Sequence, residues 1–208
     1  MNEKIKELEK YKKALYVIDM VEGFVNIGAM ANPEYNKLIP EQLKIVNEFR
    51  KNQELVNFIC EAHTENALEF NNYPKHCVLG TKEAELIPDF INQKEYPNTK
   101  IYQKNSINGM LNDNLRTDIS KMKNLEEAII IGVCEDLCVM DFARTYVRYM
   151  DEINHKIKLY VVADAVDTFD APNHNREEWK KIARMVMEQA GITYVKDYNE
   201  LTEKTKCK

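Results

Sequence analysis

Three short apolar runs, Ala14–Ile18, Ile129–Val133 and Leu159–Ala163, are each followed further along the chain by a segment of helical periodicity. A strand that is apolar on both faces must be covered on both. A parallel strand also reaches its neighbour only through a crossover, usually a helix. The pattern therefore predicts an α/β chain, a three-layer α/β/α sandwich around a central, mostly parallel sheet. Expected strands are Ala14–Asp19, Leu55–Cys60, Lys100–Gln103, Ala128–Val133, Lys158–Ala163 and Ile192–Val195. Expected helices are Tyr35–Lys51, Leu111–Met122, Glu135–Met150 and Arg176–Ala190, the last ended by Gly191. Met1–Lys13 alternates charged and apolar residues and reads as an N-terminal helical extension. Glu61–Asn98, with Asn71-Asn72, Gly80-Thr81 and its prolines, reads mostly as loop. No repeat or linker interrupts the chain, so residues 1–208 are expected to form one domain.

Composition narrows what such a domain can do. With 44% apolar residues and only 6 Gly and 6 Pro, the chain is neither disordered nor of low complexity. A net charge of −5, with Lys and Arg interspersed among Asp and Glu, argues against a nucleic-acid binder, which needs a basic stripe. No apolar run approaches the roughly 20 residues of a membrane span, and Met1–Lys13 lacks the apolar core of a signal peptide. The expectation is a soluble, cytoplasmic protein with no membrane partner. Five cysteines, odd in number and without a CxxC pair, exclude a disulfide framework or zinc ribbon and fit a reduced compartment.

In open parallel sheets, sites form beyond the carboxyl ends of the strands. The residues there are Asp19, Glu61, Lys104 and the stretch Gly132-Val-Cys-Glu-Asp-Leu-Cys138. Cys138 falls at the start of a helix, where the macrodipole and free N–H groups are expected to lower a thiol pKa and create a nucleophile. Backbone amides of the same turn could hold the oxyanion formed when a thiolate attacks a carbonyl. The plainer alternative is that both cysteines of this stretch are small buried hydrophobes. A carboxylate at Asp19 could accept the thiol proton, and an ammonium at Lys104 would stabilise both anions. Singly, an Asp at a strand end is often a turn former and a Lys is usually solvated.

Two of the four histidines fall in the 61–98 loop. Glu61 and His63, two apart on extended backbone, can point the same way. With Glu69 and His76 they offer two imidazoles and two carboxylates. That set suits zinc, iron or manganese with one position open, and marks 61–98 as a metal-binding region. Cys77 is read as loop packing. Asp170 and His174, in the polar segment after the fifth strand, are read as structural.

Four blocks, in order, resemble the isochorismatase-like cysteine hydrolases, and within them the nicotinamidases, also called pyrazinamidases. They are Val17-Ile-Asp-Met-Val-Glu-Gly-Phe24, Glu61-Ala-His63 through Pro74-Lys-His-Cys-Val-Leu-Gly-Thr81, Tyr102-Gln-Lys-Asn-Ser106 and Gly132-Val-Cys-Glu-Asp-Leu-Cys-Val139. The resemblance runs from about Lys13 to Val195. It implies that Asp19, Lys104 and Cys138 are the catalytic triad and that Glu61, His63, Glu69 and His76 bind one divalent metal, zinc first, with iron or manganese as alternatives. It further implies that Phe24 stacks on substrate, that the Val133–Cys134 peptide is cis, and that the N–H groups of Cys134 and Cys138 form the oxyanion hole. The implied reaction is hydrolysis of nicotinamide to nicotinate and ammonia through a Cys thioester, a step of NAD salvage, with the metal positioning the pyridine nitrogen. Family members are often homo-oligomers. Alternatives are an amidase for another small carboxamide, a non-catalytic ligand-binding member, and a protein whose metal is structural. The chain departs from the family in having Glu61 for the usual Asp, Met-Val-Glu-Gly after Asp19, and Glu135 for a common Thr.

Overall fold

The computed structural model describes residues 7–206. Its strands are β1 (Lys13–Ile18), β2 (Leu55–Glu61), β3 (Thr99–Lys104), β4 (Glu127–Val133), β5 (Lys158–Asp167) and β6 (Thr193–Val195). They form one sheet in the order β3-β2-β1-β4-β5-β6, and every neighbouring pair is parallel. The helices are α1 (Glu22–Val25), α2 (Ile39–Lys51), α3 (Pro88–Ile91), α4 (Asp113–Lys121), α5 (Met140–Glu152), α6 (Arg176–Gln189) and α7 (Tyr198–Lys206).

Side chains of a strand alternate between faces, and β1 shows what each face meets. Ala14, Tyr16 and Ile18 pack with Leu115, Ile119, Phe142, Tyr146, Ala183 and Met187, so α4, α5 and α6 cover one side. Leu15 and Val17 pack with Ile45, Val46, Phe49, Phe90 and Leu201, so α2, α3 and α7 cover the other. This is the expected three-layer sandwich. Strand β4 is buried along its whole length; truncating a residue such as Ile130 to Ala would cost about 2–5 kcal/mol.

Several boundaries differ from expectation. Of the expected helix Met1–Lys13, residues Met1–Lys6 lie outside the described residues, the helical part ends within 7–9, and Lys13 already opens β1. The expected helix Tyr35–Lys51 enters through a 3₁₀ segment, Pro33–Leu38, and turns α-helical only from Ile39, where Pro40 occupies the first turn that needs no N–H donor. The expected helix Glu135–Met150 begins as a π-type turn over Glu135–Val139. Strand β5 runs on to Asp167, through residues read as loop. After a register shift, Val166 and Asp167 pair with Gly132 and Val133, and Ala165 and Val166 are buried. The polar Asp164 had hidden that continuation.

The chain goes from β1 outward to β2 and β3, then returns to place β4 on the other side of β1. The crevice beyond the carboxyl ends of β1 and β4 is thus the switch point of the sheet. Gly132 permits the close approach there. Its φ is +122°, and a Cβ at this position would lie 2.0 Å from the Ile18 carbonyl oxygen.

Candidate active site

Four strand ends converge on this crevice. Asp19 directly follows β1 with φ 52°, its N–H donating to Ile59 O at 2.8 Å, and its side chain is fully buried. Asp19 Oδ1 accepts from the Glu61 N–H at 2.8 Å. Lys104 closes β3 in register with Glu61 of β2. Its Nζ lies 2.9 Å from Asp19 Oδ2, 3.2 Å from Glu61 Oε2 and 3.7 Å from Cys138 Sγ. Carboxylate oxygens of Asp19 and Glu61 and the sulfur of Cys138 all lie within 4.8 Å of one another. Cys138 comes from the π-type turn after β4, in which Leu137 and Val139 both donate to Cys134 O. The peptide between Val133 and Cys134 is cis.

Burial and charge set the proton affinities. Burial pushes the Cys138 thiol well above its ordinary value, with Lys104 pulling it back. The expectation of a depressed thiol pKa is therefore not met: desolvation in the packed turn is the largest influence and outweighs the pull of Lys104. Burial also lifts Asp19 to about 7, against the pull of Lys104 and with the push of Glu61. A carboxylate raised toward neutrality is a stronger base toward the neighbouring thiol than an ordinary one would be. Burial disfavours the Lys104 ammonium, but Asp19, Cys138 and Glu61 outweigh it and hold the charge firmly.

Next to this trio, Glu61, His63 and His76 bring one ligand atom each within 4.8 Å of one another. His63 Nε2 is 2.8 Å from Glu61 Oε1, and the two imidazoles sit 4.8 Å apart at 77°. His76 Nδ1 lies 2.7 Å from the Pro74 carbonyl oxygen, leaving Nε2 to face the cluster, 4.0 Å from Glu61 Oε1. Both ring nitrogens of His63 and Glu61 Oε1 are buried without a hydrogen bond. Such atoms are costly to bury unless something else satisfies them, and an N₂O set converging in this way fits a divalent cation. Burial tends to raise the Glu61 carboxyl, but Lys104, His63 and His76 hold it at about 2. Glu69, half-buried on the 3₁₀ turn Leu68–Asn71, lines the same pocket but stands outside the compact cluster. Cys77 is fully buried in the loop packing, as expected.

A cavity of about 30 Å³ lies against Cys138 and Cys134, walled by Phe24, Phe169, His76 and Glu69. It adjoins a wider cavity of about 420 Å³ that shares Phe24, Met30, Cys134 and Phe169 and reaches Glu34 and Arg176. Phe24 leans on His76 at 5.5 Å. The sequence reading had not singled out Phe169, Asp136 or Thr168. Asp136, only two residues from Cys138, was the one with a positional signal. His174 lies beside the pocket in contact with Asp136 and Phe169. Asp170 borders the wider cavity and accepts from the Arg176 N–H at 3.1 Å.

A doubly wound parallel sheet with a thiol, a carboxylate and an ammonium gathered at its switch point defines a small-molecule α/β enzyme scaffold. More narrowly, the chain belongs to the isochorismatase family, whose Isochorismatase domain matches residues 13–192. It is 30% identical over 184 residues to Nicotinamidase 1 of Arabidopsis thaliana, covering 80% of this chain and 73% of that protein. The pyrazinamidase of Pyrococcus horikoshii, solved in complex with zinc, superposes with a TM-score of 0.71 at 26% identity, covering 89% of this chain and 99% of that one. N-carbamoylsarcosine amidase of Thermoplasma acidophilum superposes with a TM-score of 0.71 at 25% identity, covering 89% and 96%. Among the described residues, no helix is long and apolar enough to cross a membrane.

Proposed function

We propose that the protein is a nicotinamidase, a single-domain cytoplasmic enzyme that hydrolyses nicotinamide to nicotinate and ammonia in NAD salvage. The observation that carries this reading is Lys104 Nζ lying 2.9 Å from Asp19 and 3.7 Å from Cys138, all three buried at one strand-end crevice.

Asp19 takes the Cys138 proton as the sulfur attacks the carboxamide carbon. Lys104 offsets the charge that would otherwise build up on two buried anions. The oxyanion is received by the N–H groups of Cys134 and Cys138. Asp19 returns the proton to the departing ammonia, leaving a thioester, and then draws a proton from the water that hydrolyses it. Phe24 stacks against the pyridine ring. Glu61, His63 and His76, with Glu69 alongside, would hold one divalent cation, zinc first and iron or manganese after it. When bound, that cation supplies an electrophilic position for the pyridine nitrogen.

Ammonia release from nicotinamide by zinc-loaded protein tests the proposal directly. Cys138→Ala should lower turnover by about 10⁴-fold or more while circular dichroism stays native; a variant that keeps its turnover removes Cys138 as nucleophile. A second reading, hydrolysis of another small carboxamide or carbamoyl amide, is favoured by the wider cavity beside the pocket and by Met20-Val-Glu-Gly23 after Asp19. A panel of nicotinamide, pyrazinamide and a carbamoyl amide separates the two by kcat/KM.

A further inference from the structure

Beyond the triad and the imidazole cluster, the pocket has a wall built on a second carboxylate–imidazole pair, the buried Asp136 and the half-buried His174. Phe169 lines both cavities beside Cys134. Its ring stacks on His174 at 3.9 Å and 11°, and His174 stacks in turn on Trp179 at 5.0 Å and 3°. Two near-parallel rings so close to one small imidazole must lie on its opposite faces, so His174 is clasped between them. Both of its ring nitrogens are engaged, Nδ1 with the Phe169 carbonyl at 3.1 Å and Nε2 with Asp136 Oδ2 at 2.7 Å. The other Asp136 oxygen accepts from the Thr168 hydroxyl. Asp136 is buried in the turn that carries Cys138, two residues away. One imidazole thus ties the nucleophile's turn, the pocket-lining Phe169 and the first turn of α6 into a single unit.

We propose that Phe169 is a specificity-determining wall that selects flat heteroaromatic rings, and that His174 is the positioning residue that holds both this wall and the turn bearing Cys138. The substrate class rests on the amidase reading; the wall itself does not. A planar ring gains from a fixed aromatic face, whereas a small aliphatic amide gains little. Trp179 is the only tryptophan of the chain, so its emission reports the state of the stack without any turnover.

The experiment titrates zinc-loaded protein with nicotinate and with benzoate while following Trp179 emission, and measures kcat and KM for nicotinamide and acetamide. Either flat acid should change the emission saturably, and Phe169→Ala should weaken its binding about tenfold, the size of one lost aromatic face with its buried area. The same variant should lower kcat/KM for nicotinamide about tenfold more than for acetamide. His174→Asn keeps a polar link toward Asp136 but loses the stack, so KM for nicotinamide should rise about fivefold. His174→Phe keeps the stack but loses the Asp136 bond; KM should hold within about twofold while kcat falls about tenfold, as the turn bearing Cys138 loses its tether. Equal losses in both His174 variants would overturn the positioning role. Unchanged affinity in Phe169→Ala, or no response of native protein to either flat acid, would overturn the wall. Native protein that binds nicotinate but releases no ammonia from nicotinamide would defeat the amidase reading and leave the wall standing.

Discussion

Two carboxylate–imidazole pairs, one buried and one half-buried at its imidazole, flank the same pocket and are used in opposite ways. On one side Glu61 and His63 approach to 2.8 Å, yet neither ring nitrogen of His63 has a hydrogen bond and a second imidazole stands alongside. On the other side Asp136 and His174 approach to 2.7 Å, and every polar atom of both side chains has a partner. The contact is nearly the same; the satisfaction is not. An unsatisfied buried donor set is expensive and therefore poised for a ligand, whereas a saturated one spends its valences on rigidity. The difference is one of surroundings: His63 meets the Glu61 carboxylate and the rings of Phe70 and His76, while His174 has the Phe169 carbonyl beside it and stacks on Phe169 of its own loop and on Trp179 of α6.

Removing one imidazole from each side should separate the two roles most strongly. His63→Ala should weaken zinc binding about 100-fold or more, read by competition with a chromogenic chelator, whereas His174→Ala should bind zinc as the native protein does. Comparable losses in the two variants would erase the distinction. The reverse asymmetry should hold for stability. Asp136→Ala strands His174 and the Thr168 hydroxyl and should cost about 3 kcal/mol in urea unfolding, against under about 1 kcal/mol for Glu69→Ala at its half-buried position. A smaller and pH-dependent effect belongs to Glu135, the neighbour of Asp136, whose Oε1 accepts from the Tyr194 hydroxyl at 2.9 Å. Burial raises its carboxyl from 4.5 to about 7. The folded state therefore holds a proton that the unfolded state releases between those values. Glu135's contribution to stability is full below about 4.5, falls as pH rises, and is gone above about 7. Glu135→Gln should flatten that decline and gain about 2 kcal/mol over native protein at alkaline pH; an unaltered slope of unfolding free energy with pH would remove Glu135 as its source.

Much of the scaffold was legible because a parallel sheet writes itself locally. Uninterrupted apolar runs at β1 and β4 can only be strands covered on both sides, and the strand-end rule then pointed to Asp19, Glu61, Lys104 and Cys138. Boundaries failed where neighbours outvoted local chemistry: β5 passes through Asp164 because pairing with Gly132 and Val133 carries it on, and the helix after β4 opens with a π-type turn.

The chain by itself determined the α/β order, the residue types at the strand ends and the donors of the 61–76 segment. Their proton affinities were decided only by folding, which desolvates the Cys138 thiol against the pull of Lys104. The engagement of His174 with Asp136, 38 residues away, was likewise settled in three dimensions. Short-range pattern records which faces must be buried; it holds no information about which distant polar atoms will meet, because that depends on where whole layers come to rest.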